Sequence, residues 1–382
     1  MSLVVFPFKT EDPAVVLANL RTAAGHPSVE RVLAVGVEEE STYSAIEAAR
    51  VGIAGATSTP VELVLQERIG TKRPGKGDGM NTALRYFLTE TDLDRIHFYD
   101  ADITSFGPEW MTQAEDAADL GYDVVRHFFP RSSTDAMITW MITRTGFALL
   151  WPRTELPWIE QPLGGELLFT RRAAEALVAD DRVQAQSDWG IDTLYTFSTV
   201  QAGFSVYETY VRQGKAHALY GGLTDLKTML VECFGAIQSL RAEEIAEGVT
   251  HRVEATAAVG PGITEKIGYD IEKTLRMPTH GWTDRQTDLL DNFPDPVRSG
   301  VLGNRESATF SFMDEEAWVV AYRCFLDHFV PGDEDWEELL FRMWVLRVLN
   351  YTTARALRGY EHAQQYLRSM IAGYLRNAAL ER

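Results

Sequence analysis

Between Leu3 and Phe128 short apolar runs alternate with helix-length patterns, and nothing else in the sequence constrains the fold as tightly. Leu3 to Phe8 reads as a strand. Asp12-Pro13 then supplies an N-cap and a first-turn proline for a helix to about Ala24. Arg31 to Val37 reads as a second strand, Ser41 to Ala54 as a second helix and Val61 to Gln66 as a third strand. A glycine-rich loop, Gly70 to Gly79, leads into a helix through Asn81, Leu84 and Phe87. Ile96 to Tyr99 is a fourth strand, Pro108 opens another helix, and Tyr122 to Phe128 is a fifth strand. This alternation predicts the α/β class, a Rossmann-like parallel or mixed sheet flanked by helices. Ligands of such sheets gather at the carboxyl ends of the strands, so the loops that follow strands are where function is sought.

The pattern loosens from Ala136. Glu166 to Thr170 and Phe204 to Tyr210 read as two further strands, and beyond about Leu223 the chain is mostly helical. Met229 to Ile245 and Asp333 to Leu380 carry apolar residues at three- and four-residue spacing, with a loop-rich stretch between them. The reading is a catalytic domain over 1–222 and a helical region over 223–382 that packs on it. The apolar stripe Trp336, Leu339, Leu340, Met343, Trp344 and Leu346 reads as core, with an oligomer surface as the alternative; a homo-oligomer is expected on that ground.

Charge narrows the partners. Against 36 basic residues stand 55 acidic ones, a net charge of −19, which disfavours nucleic acid and anionic membrane. An anionic ligand then needs a local basic cluster. Cys233 and Cys324 have no framework spacing, which argues for a reducing compartment and against a disulfide scaffold or cysteine zinc site. The opening MSLVVFPFKTED reads as a strand rather than a signal peptide, and the best membrane-span candidate, Ala136 to Leu150, carries Arg144. A cytoplasmic location is expected.

Five motifs can carry chemistry. Asp-x-Asp occurs at Asp92/Asp94, Asp100/Asp102 and Asp333/Asp335, and only Asp100/Asp102 ends an apolar strand. Side chains at i and i+2 of a strand end can converge, and convergent carboxylates suit a hard divalent cation that shares its shell with phosphates. Gly70 to Lys76 matches G-x-x-x-x-G-K, but Gly77 stands where a P-loop carries Ser or Thr, and the loop follows the third strand; an NTPase is rejected. Its glycines, its basic residues Arg68, Lys72, Arg73 and Lys76, and the helix start beyond still suit an anion. Lys9 and Lys72 join Lys76 in a local positive patch. In Ser187-Asp188-Trp189-Gly190-Ile191-Asp192 a turn can set one carboxylate in a pocket. His217, in Lys215-Ala216-His217-Ala218-Leu219-Tyr220, can complete a metal site with Asp102. Arg131, just past the fifth strand, suits a carboxylate.

Taken in order, these motifs resemble the GT-A glycosyltransferases that use nucleotide sugars, and among them the mannosylglycerate synthase family. Those are retaining enzymes that move mannose from GDP-mannose to the 2-hydroxyl of D-glycerate, with lactate or glycolate as further acceptors to consider. The resemblance implies a GT-A fold and a divalent cation, manganese, magnesium or calcium. It implies that Pro7, Phe8, Lys9, Thr10, Glu11, Val35 and Gln66 line the nucleotide pocket and that Lys76 reaches the diphosphate or sugar. Asp100 would touch ribose or sugar, Asp102 and His217 would hold the metal, and Asp192 would lie near the transferred sugar. Arg131 would pair with the acceptor carboxylate, in a pocket shaped by Ala136, Met137, Thr139, Leu163 and Tyr220. Asp192 as a covalent nucleophile and a front-face attack both fit retention; the front-face route is preferred because the diphosphate is a ready base.

Three alternatives have distinct signatures. A glucosyl donor with 3-phosphoglycerate would want more basic residues beside Arg131, and Ser132 to Met137 has none. A sugar-nucleotide pyrophosphorylase would carry its glycine-rich loop after the first strand, where Lys9 to Asp12 has no glycine. A non-catalytic nucleotide-binding protein would need no acceptor pocket.

Overall fold

The computed structural model describes residues 1–216, 222–257, 259–260, 263, 267–307 and 309–380. The strands are β1 Ser2–Pro7, β2 Val29–Gly36, β3 Val61–Leu65, β4 Arg95–Phe98, β5 Val124–Phe128, β6 Leu167–Thr170, β7 Val206–Tyr210 and β8 His251–Val253. Helices α1 Pro13–Ala24, α2 Ser41–Thr57, α3 Lys76–Glu90 and α4 Pro108–Asp119 connect the first five strands. Then come α5 Arg144–Leu150, α6 Arg171–Ala179, α7 Asp181–Ala185, α8 Ile191–Gln201 and α9 Lys227–Ser239. The expected α/β sheet with a mostly helical C-terminal region is what the chain forms.

All eight strands lie in one sheet, ordered β3-β2-β1-β4-β6-β5-β7-β8. Pairing is parallel except at β6, which runs antiparallel between β4 and β5. Its register sets Phe98 opposite Leu167. An antiparallel neighbour begins where the other strand ends, so Glu166, just before β6, meets the residues just past β4. β8 was not foreseen, because Arg252 and Val253 are exposed and its three residues carry no apolar face.

Local signals explain why the site sits where it does. Asp12 Oδ1 accepts from Ala14 N at 2.8 Å, so the predicted N-cap starts α1 directly after the β1 loop. Val4, Phe6, Leu20, Val32, Ile46 and Trp110 pack in one cluster that joins β1 and β2 to α1, α2 and α4. Each such buried side chain contributes about 1.5–3 kcal/mol, enough to hold the strand ends rigid.

The chain divides into two compact units, neither of them continuous: 1–130 with 154–218 and 244–258, and 131–153 with 219–243 and 259–382. In the second unit a π-helical turn, Thr139–Thr143, runs into α5. Wide turns leave carbonyls unsatisfied, and here Trp318 Nε1 and Tyr322 Oη donate to the Met141 and Ile142 carbonyls at 2.9 Å each. Those bonds tie 131–153 to the helical unit.

The stretch read as loop-rich holds helices Ile271–Arg276, Asp284–Leu289 and Val297–Ser307, and Glu315–His328 follows them. Short length hid the first two, and Gly300 and Gly303 interrupt the third; Thr283 and Gln286 nonetheless form a capping box. The pattern from Asp333 to Leu380 breaks into Glu334–Ala354 and Tyr360–Leu380 at Gly359, which takes φ +113°. The stripe from Trp336 to Leu346 is buried within the chain, so it is core and offers no oligomer surface.

Candidate active site

The glycine-rich loop lies between β3 and α3, and the structure uses its glycines for packing. A Cβ on Gly70 would lie 2.4 Å from Ser187 Oγ, one on Gly75 2.0 Å from Asp188 Oδ1, and one on Gly77 2.5 Å from the Gln186 carbonyl oxygen. Only glycines let this loop dock on 186–188. The docking is hydrogen-bonded throughout. Buried Asp78 accepts from Gly70 N at 2.7 Å and from Arg68 Nη1 at 2.6 Å. Ser187 Oγ accepts from Arg68 at 2.9 Å and from Lys72 N at 2.9 Å. Asp188 pairs with Arg73 and accepts from Lys76 N at 3.1 Å. Three of the four cations read as an anion cradle, Arg68, Arg73 and Lys76, are partnered by carboxylates, while the fourth, Lys72, stays exposed, as does Lys9.

Lys76, at the first position of α3, turns inward. Its Nζ lies 3.1 Å from Asp192 Oδ2 and 3.3 Å from Asp100 Oδ1. Lys76, Asp100 and Asp192, the three residues expected at the diphosphate and the transferred sugar and read as the catalytic set, are thus one cluster: Asp100 past β4, Asp192 in the first turn of α8, and Lys76 between them. Lys215 Nζ reaches the other Asp100 oxygen and lies 2.6 Å from Glu166 Oε1. Glu166, Lys215, Asp100, Lys76 and Asp192 form a chain of alternating charge with one net negative charge. Its side chains are nearly closed off from solvent except Asp100, 29% exposed, which is where a ligand can enter. A Cβ on Gly165 would sit 2.5 Å from Asp100 Oδ1 and 2.6 Å from Lys76 Nζ, so only a glycine leaves room for that pair.

Charge states follow. Burial opposes the Lys76 ammonium, but Asp100, Asp192 and Glu166 outweigh it and hold the group above the lysine range. Burial likewise opposes Lys215, and Asp100 and Glu166 hold it protonated. Burial would raise Asp100, yet Lys215 and Lys76, with a hydrogen bond from Lys215, pull its carboxyl well below the usual range. Burial dominates at Asp192 and Glu166 and raises both. Behind them Arg126, buried in β5, donates to the Gln161 carbonyl at 2.9 Å and to Thr196 Oγ1; desolvation brings it down to about 10.

The remaining predicted residues separate into groups. Pro7 and Gln66 both border Gly79 at the sheet's carboxyl edge. Lys9 and Thr10 are exposed beside them, and Glu11 Oε2 accepts from Lys9 N. Phe8 does not line an open pocket: its ring packs over Gly36, where a Cβ would lie 2.4 Å from it. Val35 is fully buried, so it offers the edge only its backbone, whose carbonyl takes Phe8 N at 2.9 Å. Arg131, Ala136, Met137 and Thr139 belong to the second unit and Leu163 to the first. Arg131 Nη1 lies 3.3 Å from Asp135 Oδ2, and Ala136 takes φ +58°, a left-handed conformation rare for alanine. His217 and Tyr220 lie outside the described residues.

Among the described residues no three His, Cys, Asp or Glu side chains group as a metal site. Asp102 is half-buried two residues past Asp100, and Glu11 stands close enough that burial and then the Asp102 and Asp100 charges raise its carboxyl. Hard oxygen donors crowded into mutual repulsion fit a divalent cation. Glu166, Lys215, Arg126 and Gly165 were missed in the sequence. A Gly-Gly pair before a strand, an arginine inside an apolar strand and one of only seven lysines were the available signals.

Comparison with known proteins decides the family. Residues 2–239 match the glycosyltransferase domain of mannosylglycerate synthase, and residues 263–371 match the C-terminal domain of the same enzyme. The chain belongs to the mannosylglycerate synthase family. It is 62% identical over 381 residues to mannosylglycerate synthase of Rhodothermus marinus, covering 100% of this chain and 96% of that one. It is 59% identical over 375 residues to the Selaginella moellendorffii enzyme, covering 97% and 89%. Among solved structures, glucosyl-3-phosphoglycerate synthase from Mycobacterium tuberculosis with Mn2+, UDP-glucose and phosphoglyceric acid is 18% identical, covering 63% of this chain and 79% of that one, with a TM-score of 0.47. As a member of the mannosylglycerate synthase family the chain is a glycosyltransferase that makes mannosylglycerate. Among the described residues no helix is long and apolar enough to cross a membrane.

Proposed function

We propose that the chain transfers mannose from GDP-mannose to the 2-hydroxyl of D-glycerate with retention at the anomeric carbon, in the cytoplasm. The observation that carries this reading is the buried Lys76–Asp100–Asp192 cluster at the carboxyl end of β4, with Asp100 as its open member. Asp192 Oδ1 is buried without a hydrogen-bond partner among the described residues. A buried acceptor wants a donor, and a sugar hydroxyl supplies one. Pro7, Lys9, Thr10, Glu11, Gln66 and the Val35 backbone line the nucleotide side. Arg131 takes the acceptor carboxylate, with Ala136, Met137, Thr139, Leu163 and Tyr220 as the further acceptor-binding residues; recognition built on one arginine also admits lactate and glycolate.

Retention follows a front-face course in this reading. The bond from the anomeric carbon to the diphosphate breaks, the glycerate oxygen bonds to that carbon on the same face, and its proton passes to a leaving diphosphate oxygen. Lys76, held protonated, stabilises the negative charge that develops there. Asp192 is not the nucleophile in this reading: its Oδ2 is tied to Lys76 at 3.1 Å and its Oδ1 takes the sugar hydroxyl. A divalent cation, manganese, magnesium or calcium, would be held by Asp102 and His217 and when bound supplies Lewis-acid stabilisation of the diphosphate.

The test is GDP-mannose turnover with D-glycerate, with manganese, with chelator, and in Asp102→Ala. Turnover that requires glycerate and metal and collapses in the variant is the expected result. Turnover of UDP-glucose instead, or activity indifferent to chelator, would overturn the donor or the metal assignment separately.

A further inference from the structure

Glu166 and Lys215 have no role in the reading above, yet both are closed off from solvent within the cluster. The Lys215 side chain is 6% exposed and that of Glu166 is fully buried. Burying a lysine and a glutamate is costly unless each is partnered, so the pair needs a reason. Lys215 Nζ spans two carboxylates, Asp100 Oδ2 and Glu166 Oε1, and its ammonium lies 5.9 Å from the centre of the Phe129 ring.

The backbone that carries Lys215 is fastened to the loop that carries Asp100. Thr104 N donates to the Ala216 carbonyl at 2.7 Å and Thr104 Oγ1 to the same oxygen at 3.0 Å. Ser105 Oγ donates to the Gly214 carbonyl at 3.0 Å and accepts from Ala216 N at 2.9 Å. Gly214 takes φ +78°, which turns the chain so that Lys215 points inward. On the other side Glu166 is fixed by the β4–β6 register and by its backbone carbonyl, which accepts from His127 N at 3.1 Å. Two rigid segments therefore grip one Asp100 oxygen from behind, while Lys76 takes the other.

We infer that Glu166 and Lys215 are a positioning pair: Lys215 locks the Asp100 carboxylate in one orientation, and Glu166 fixes Lys215. This rests on Asp100 being a donor contact. Neither residue touches the reacting atoms; both act through Asp100.

The experiment compares Lys215→Met, Glu166→Gln and the double variant Glu166→Gln/Lys215→Met in steady-state kinetics and thermal melts, using the nucleotide sugar that the wild type turns over. Lys215→Met alone leaves Glu166 buried without its cation and lowers both the melting temperature and kcat. The double variant removes one charge of each sign, so its melting temperature returns close to that of the wild type. Its kcat stays down about 10- to 100-fold, because Asp100 is no longer held, while KM for D-glycerate changes less than about threefold. Recovery of both melting temperature and kcat would show a merely structural pair and overturn the inference. Should the double variant not fold, Glu166→Gln alone decides: kcat lowered with its melting temperature kept, and restored in part by Glu166→Asp, supports the pair, and wild-type kcat overturns it. A wild type that ignores GDP-mannose and uses another donor overturns the donor reading and leaves this comparison intact.

Discussion

Replacing Gly165 with alanine should silence the enzyme without unfolding it. The φ of Gly165 lies outside the left-handed region, so the backbone accepts alanine and only the added methyl matters. That methyl would stand 2.5 Å from Asp100 Oδ1 and 2.6 Å from Lys76 Nζ, whereas ordinary contact begins at 3.4 Å. The two groups must each recede by about 0.8–0.9 Å, in a cluster whose carboxylates and ammonium groups are held from behind. Overpacking of this kind costs about 1–3 kcal/mol of stability, which a chain of this size tolerates. A displacement near 1 Å of reacting groups costs about 100-fold in rate. The assay is kcat for Gly165→Ala beside a melting curve, with Gly52→Ala as control, since a Cβ on Gly52 meets nothing within 4 Å. A Gly165→Ala enzyme with wild-type kcat would refute the claim that the Lys76–Asp100 contact sets the rate.

Arg131→Ala should raise KM for D-glycerate by about 10- to 100-fold, the worth of a charge-assisted hydrogen bond, and leave KM for the donor within about threefold; a shift in donor KM instead would move Arg131 out of the acceptor pocket. His127 should make the fold acid-sensitive. Burial brings its imidazole down to about 4 from an ordinary 6.5, so the unfolded chain binds the extra proton first. Stability is then full above pH 6.5 and falls by roughly 3 kcal/mol by pH 4, a slope that urea melts should show in the wild type and find reduced in His127→Gln. Gly77→Ala should destabilise by about 2 kcal/mol or more, because its methyl would meet the backbone of Gln186 and Ser187; an unchanged melting temperature would mean that the two loops are not locked together.

The strands that position the site were legible because both faces of the inner strands are buried and their sequences read as apolar runs. β1, β2, β4 and β5 lie within two residues of their expected ends. Asp100 was legible because it ends such a run, and Asp192 because a turn and a helix start surround it. β8 and the helices between Ile271 and Ser307 were not, since short elements receive their stability from neighbours that are distant in sequence. The anion cradle read into Gly70–Gly79 drew on composition; that Arg68 and Arg73 meet Asp78 and Asp188 depends on a docked loop more than a hundred residues away for one of them.

By itself the sequence determined the sheet class, the loops that carry the chemistry, and the family. Periodicity and strand-end polarity are local properties, written residue by residue. Tertiary structure alone decided the insertion of antiparallel β6 between β4 and β5 and, with it, the meeting of Glu166 and Lys215 at Asp100. Strand order is settled by which faces bury together and by hydrogen-bond register across the sheet. Both are contacts between segments far apart in the chain, and no local pattern encodes them.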